Sequence, residues 1–348
     1  MRCAGPAPRQ QPEPPAAPIA VLDPQLRALI PALKSALAAT LGGAAPGDIE
    51  RTRAAYVARC LRYAPHPAVI DICEDLSIER AGGALSVRHY RAQAPGRMPG
   101  QHLPALVFLH GGGGTCGDLE SHDRVCRQLA INARSAVFSV DYRRAPEHAL
   151  IDALADVRAA LDWLASHAEV FSIDQKRLAL VGEEAGGYLA ALAALELNTA
   201  DHQPIAMQVL ISPLLDVTRD AVLTDHTADL ADDLAALVGA QARFLRAQTR
   251  DWLGSLSTTE RALKSPLHAT ALSHLPPTYV LFAGHDPLAG QIHHYATRLT
   301  AAGVEVTQEC FTGMVHGFML MGGHLAGAQH AIARIGQALR PVLHRKGA

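Results

Sequence analysis

The chain has 348 residues, room for one large α/β domain or two small ones. Hydrophobic residues make up 49% and charged residues 18%, which excludes a mostly disordered chain. A net charge of −2 at pH 7 leaves no footprint for nucleic acid or an anionic membrane surface, and no run of about 18 apolar residues offers a membrane span.

Residues 1–20, rich in Pro, Ala and Gln, lack the continuous apolar stretch of a signal peptide and read as a disordered leader. Residues 21–63 read as helical. Leu22, Leu26, Leu29, Ile30 and Leu33 recur at helical spacing behind Asp23-Pro24, a capping residue and a first-turn proline. Gly42 to Gly47 interrupts the pattern before a second helix that ends near Tyr63. Glu74–Glu79 and Ser86–Ala92 read as paired strands around Gly82-Gly83.

An alternating series follows. Strands are expected at Ala105–Leu109, Ala136–Val140, Leu178–Val181, Met207–Ile211, Tyr279–Phe282 and Val304–Cys310. Helices are expected near 119–132, 151–167, from Ala185 onward, and at 289–302 and 324–343. Continuous apolar strands alternating with helices predict a mostly parallel sheet covered on both faces. Residues 217–264, between two strands, read as helical and long enough to cover one end of the sheet.

Cysteines at 3, 60, 73, 116, 126 and 310 show neither C-x-x-C spacing nor a zinc-site pattern. They read as reduced thiols of a cytoplasmic protein, with no metal and no cofactor expected. His293, His294 and His344 read as exposed.

Three strand ends carry chemistry. His110-Gly111-Gly112-Gly113-Gly114 follows a strand, and glycines let its backbone turn sharply and present N–H groups to a developing oxyanion. Val181-Gly182-Glu183-Glu184-Ala185-Gly186-Gly187 joins a strand to a helix, with the small residues that a nucleophile elbow requires. Asp286 in Gly284-His285-Asp286-Pro287 and His316 in Thr312-Gly313-Met314-Val315-His316-Gly317-Phe318 complete the chain order elbow, acid, histidine.

From about Leu22 to Leu343 the chain resembles the hormone-sensitive lipase family of bacterial carboxylesterases. The resemblance rests on His110-Gly111-Gly112-Gly113, Asp141-Tyr142-Arg143-Arg144-Ala145-Pro146-Glu147-His148, Ser212-Pro213-Leu214-Leu215-Asp216, Ser265-Pro266-Leu267, His285-Asp286-Pro287-Leu288 and Gly313-Met314-Val315-His316-Gly317-Phe318. It implies an α/β-hydrolase fold: a mostly parallel eight-stranded sheet, helices on both faces and a helical cap. The expected organisation is N-terminal cap helices over 21–70 and a hydrolase domain over 71–348, with a cap insertion at about 217–264. The resemblance further implies Asp286 and His316 as triad acid and base, and Gly112, Gly113 and Ala185 as oxyanion donors. Its natural ligand is a small acyl or ester-like molecule, and it leaves room for a homodimer.

One departure changes the expected chemistry. The family's elbow reads Gly-Asp-Ser-Ala-Gly-Gly, and here Glu183 stands at the Asp and Glu184 at the nucleophilic Ser. Cys116 and Ser121 lie outside the elbow and read as structural. Ordinary serine-esterase activity is therefore expected to be absent or very weak. Glu184 leaves three roles open: general acid/base with His316, nucleophilic attack on an alkyl or epoxide carbon, or a non-catalytic pocket that binds a small ligand.

Around the site, Asp216 and Asp220 read as solvated or capping, Glu147 and His148 as fixing their loop, and Trp163 and Leu164 as helix core. Trp252 is expected either to line the pocket or to pack the cap, and His285 to be exposed.

Overall fold

The computed structural model describes residues 21–42, 48–80, 82–93, 101–202, 204–218, 230–254 and 256–345. The expected leader over 1–20, Cys3, Asp220 and part of the 217–264 insertion lie outside the described residues.

Helices α1 (Pro24–Gly42) and α2 (Ile49–Tyr63) come first. Asp23 starts α1 by accepting from the N–H groups of Gln25 and Leu26 at 2.8 and 3.2 Å, and Asp48 starts α2 by accepting from Arg51. Strands β1 (Ile72–Arg80) and β2 (Gly83–Arg91) form the expected hairpin. Then follow β3 (Leu103–Leu109), α3 (Leu119–Ala133), β4 (Ala136–Val140), α4 (Leu150–Ser166), the short α5 (Ala168–Phe171), β5 (Ile173–Glu183), α6 (Ala185–Leu197) and β6 (Met207–Ile211). The insertion contributes α7 (Asp232–Leu253) and α8 (Thr258–Leu263). The chain then runs through β7 (Thr278–His285), α9 (Ala289–Ala301), β8 (Val306–Val315) and α10 (Ala326–Leu343).

The eight strands form one sheet in the order β1-β2-β4-β3-β5-β6-β7-β8. Among the described residues, only the β1–β2 and β2–β4 pairs are antiparallel. Alternation along the central strands builds two cores. Ala105, Val107 and Leu109 of β3 face one core with residues of α4, α6 and α9, and Leu106 and Phe108 face the other with α3 and α10. The second core continues into α1, α2 and α7, where Leu26, Ile30, Leu33 and Leu37 share a cluster with Leu237, Val238 and Phe244. Lys34 and Asp233 pair at 2.7 Å across α1 and α7.

Several strands outrun their apolar cores. β5 extends through Gly182 and Glu183, β7 through Gly284 and His285, and β8 through Thr312–Val315. Hydrophobicity marks the buried middle of a strand, whereas hydrogen-bond pairing carries its ends to the rim where a site is built. His285 corrects its expectation: pairing with Val315 across a register shift buries it. His344 is half-buried because its Nε2 meets the Ala133 carbonyl at 3.0 Å, docking the end of α10 on α3. Among the described residues, no helix is long and apolar enough to cross a membrane.

Candidate active site

The β3–α3 loop is folded on its own backbone. The Gly112 carbonyl accepts from the N–H groups of Thr115 and Cys116, and Tyr142 donates to the His110 carbonyl at 2.6 Å while stacking on the His110 ring. Gly112 has φ +124°, and a Cβ there would sit 2.4 Å from the Cys116 carbonyl oxygen, so no side chain fits. Arg53 of α2 clamps this loop, donating to the carbonyls of Thr115 and Ala145 and pairing with Glu147 at 2.6 Å.

The β5–α6 turn places Glu184 at its tip. Glu184 has φ +48° and ψ −103°, a strained conformation for a residue with a side chain. Its own N–H donates to the Ile211 carbonyl at 2.9 Å, and its carbonyl accepts from Tyr188 and Leu214. Helix α6 lies close beneath the strands, because a Cβ on Gly186 would come within 2.0 Å of the Leu109 carbonyl oxygen. Gly186→Ala is expected to destabilise the protein by about 3–5 kcal/mol, since only backbone can yield there. Urea unfolding would show this as a lower midpoint at unchanged slope.

The Glu184 carboxylate turns toward the glycine loop. The N–H groups of Gly112 and Gly113 donate to its Oε2 at 2.8 and 2.6 Å, while Oε1 is buried and has no partner among the described residues. The two glycines expected to serve a substrate oxyanion therefore serve the protein's own carboxylate. Ala185, the third expected donor, is fully buried as the first residue of α6. Burial raises the Glu184 carboxyl above its ordinary value, overcoming the opposing pull of His316 and of the two N–H groups. The two N–H groups favour the ionised form, and withdrawal from water outweighs them.

His316 follows β8, and its Nδ1 lies 3.0 and 3.1 Å from the two Asp286 carboxylate oxygens. Asp286 is held in turn by the Leu288 N–H at 2.9 Å. Burial alone would lower the imidazole. The charge and hydrogen bond of Asp286, with further charge from Glu184 and Glu183, outweigh it and hold His316 at about 9. Glu184 and His316 line the same cavity, whose free volume is about 60 Å³. The fold thus brings together Glu184, His316, Asp286, Gly112 and Gly113 from four chain segments.

Glu183 points elsewhere. Its Oε2 lies 2.6 Å from His122 Nε2, a buried pair beneath the glycine loop. Sequence reading missed His122, whose one signal is its place in the helix after the loop. Ser121 belongs to a capping box with Asp118, with N–H to side-chain oxygen distances of 2.7 and 2.9 Å, and Cys116 is fully buried. Asp216 is buried in the loop after β6 and is neither solvated nor a helix cap, because its Oδ1 accepts from the N–H and hydroxyl of Thr218 in a local turn. Trp252 is buried edge-on to Tyr188 and packs α7 onto α6; it is not among the cavity-lining residues. Among the described residues, no cluster of His, Cys, Asp and Glu is suited to hold a metal ion.

Residues 106–320 match the family described as having the alpha/beta hydrolase fold. Esterase LipI of Mycobacterium tuberculosis is 36% identical over 274 residues, covering 78% of this chain and 82% of that protein. Carboxylic ester hydrolase LipN of the same organism is 34% identical over 340 residues, covering 93% of this chain and 84% of that protein. An ester-hydrolase from the metagenome of Lake Arreo superposes with a TM-score of 0.79 at 30% identity, covering 93% of this chain and 100% of that one.

Proposed function

The chain belongs to the α/β hydrolase fold family, with esterases among its relatives, and on that premise we propose an enzyme that moves protons on a small, apolar, acyl-type substrate. In this reading Glu184 replaces the family's serine, accepts a proton from the substrate, and His316 returns one. Asp286 orients the imidazole. Ordinary serine-ester hydrolysis is absent or very weak, because the elbow carries no hydroxyl or thiol.

The observation that carries the reading is the asymmetry of the Glu184 carboxylate. Oε2 is fixed by two backbone N–H groups, and Oε1 is left without a partner among the described residues. A base fixed through one oxygen keeps the other free for a substrate proton. Burial also raises its proton affinity above that of an ordinary carboxylate, which strengthens it as a base. The raised imidazole is charged at neutral pH and supplies the acid. Elimination, cyclisation, isomerisation and water activation all use such a pair. Attack by the same oxygen on an alkyl or epoxide carbon is the nucleophilic variant of this chemistry, whereas attack on an ester would give an anhydride.

A second reading, ligand binding without turnover, is favoured by one observation: Oε2 already fills the N–H groups that an oxyanion would need. Proton exchange separates the two. Incubation in D₂O with short-chain ketones and thioesters is expected to show α-proton loss by NMR, falling to background in Glu184→Gln and His316→Gln. Binding of these probes without exchange points instead to the second reading.

A further inference from the structure

Helix α2 presents one face to the cavity, made by Tyr56, Arg59, Cys60 and Tyr63 at helical spacing. The Arg59 guanidinium lies 4.9 Å from the centre of the Tyr56 ring and 5.9 Å from that of Phe244. Those two rings stack with centroids 6.3 Å apart. Aromatic faces hold the cation in place without neutralising it. No carboxylate among the described residues lies within ion-pair distance of it, in contrast to Arg53, Arg88, Arg127 and Arg143.

One turn along the helix, Tyr63 is 4% exposed, and its buried hydroxyl has no partner among the described residues. A buried hydroxyl without a partner is costly, and a bound ligand would satisfy it. We propose that Arg59 and Tyr63 form the anion subsite of this cavity, and that the substrate is an acyl compound with a carboxylate at the end away from Glu184 and His316. The proposal rests on the cavity being a substrate site. Arg59 supplies charge and a planar set of N–H donors, and Tyr63 supplies one O–H donor. The apolar side chains between, including Leu37 and Leu237, take the alkyl span.

The test compares monomethyl adipate with methyl hexanoate, which match in chain length and ester group and differ only in the terminal carboxylate. Calorimetry on the wild type is expected to show the acid binding at least about 10-fold more tightly. Arg59→Gln, or Arg59→Met, which keeps the stem over Tyr56, should bring the two probes within about 2-fold of each other, with circular dichroism confirming the fold. Arg59→Lys should retain a preference, and Tyr63→Phe should weaken binding of the acid about 3-fold. Equal affinities, no binding of either probe, or a preference that survives in a folded Arg59 variant overturns the proposal. So does a preference lost in His316→Gln and kept without Arg59, because the carboxylate would then sit on the imidazolium. Binding needs no turnover. An Arg59-dependent preference without D₂O exchange would remove the proton-transfer reading and leave this one standing.

Discussion

Glu184→Ser is expected to raise hydrolysis of p-nitrophenyl butyrate by about 10⁴-fold over the wild type. Three changes act together in this variant. A serine at the elbow supplies the hydroxyl nucleophile, and removing triad function costs on the order of 10⁶ in a model protease. Loss of the carboxylate frees the Gly112 and Gly113 N–H groups, which now hold Glu184 Oε2. One such donor is worth about 10²–10³ in rate. Removing the Glu184 charge also lowers the His316 imidazole, bringing it toward the neutral form that a general base requires. Activity should vanish again in Glu184→Ser/His316→Ala. A folded but inert Glu184→Ser would mean that the imidazole does not reach residue 184. Wild-type turnover in the ordinary range of about 1–10³ s⁻¹ that survives Glu184→Ala would require another nucleophile and would sink the whole reading.

His316 gives the second large effect. Its imidazole should titrate by NMR at about 9 in the wild type and about one pH unit or more lower in Glu184→Gln, with a larger fall in Asp286→Asn, where both the charge and the hydrogen bond are lost. Coincident titrations in wild type and Glu184→Gln would remove the coupling on which the proton-transfer reading depends. The stability consequence has a definite sign. A histidine raised in the folded state stabilises fully below its unfolded value of about 6.5, and that contribution is lost as pH rises through about 9. The loss amounts to about 3 kcal/mol. Glu184 acts in the same direction: as a raised carboxyl, it too loses its favourable contribution to folding as pH climbs out of the ordinary carboxylate range. Denaturant unfolding at pH 6.5 and 9.5 should therefore show a loss in wild type that His316→Gln lacks.

Much of the architecture was legible in the chain. Mostly apolar runs of five residues between helical patterns identify strands such as β3, β4 and β6, because a strand buried on both faces has no polar side to show. The glycine loop and the elbow were legible because close backbone approach tolerates only small residues, as Gly112 and Gly186 demonstrate. The order of elbow, acid and histidine, with the resemblance it carries, pointed to Glu184, Asp286 and His316 as members of one site.

What the tertiary structure alone decided is where the polar atoms of those residues point. Sequence placed Glu184 at the elbow but left its side-chain direction open. The fold turns Oε2 onto N–H groups 71 and 72 residues away, and buries the carboxylate deeply enough that desolvation outweighs those bonds. The Glu183–His122 pair spans 61 residues, and Arg59 reaches the cavity from a helix outside the matched family region. His285 was misread for the same reason. Local pattern reports which residues can form an element, whereas burial, hydrogen bonding and charge at a site depend on segments that only meet once the sheet has closed over its two cores.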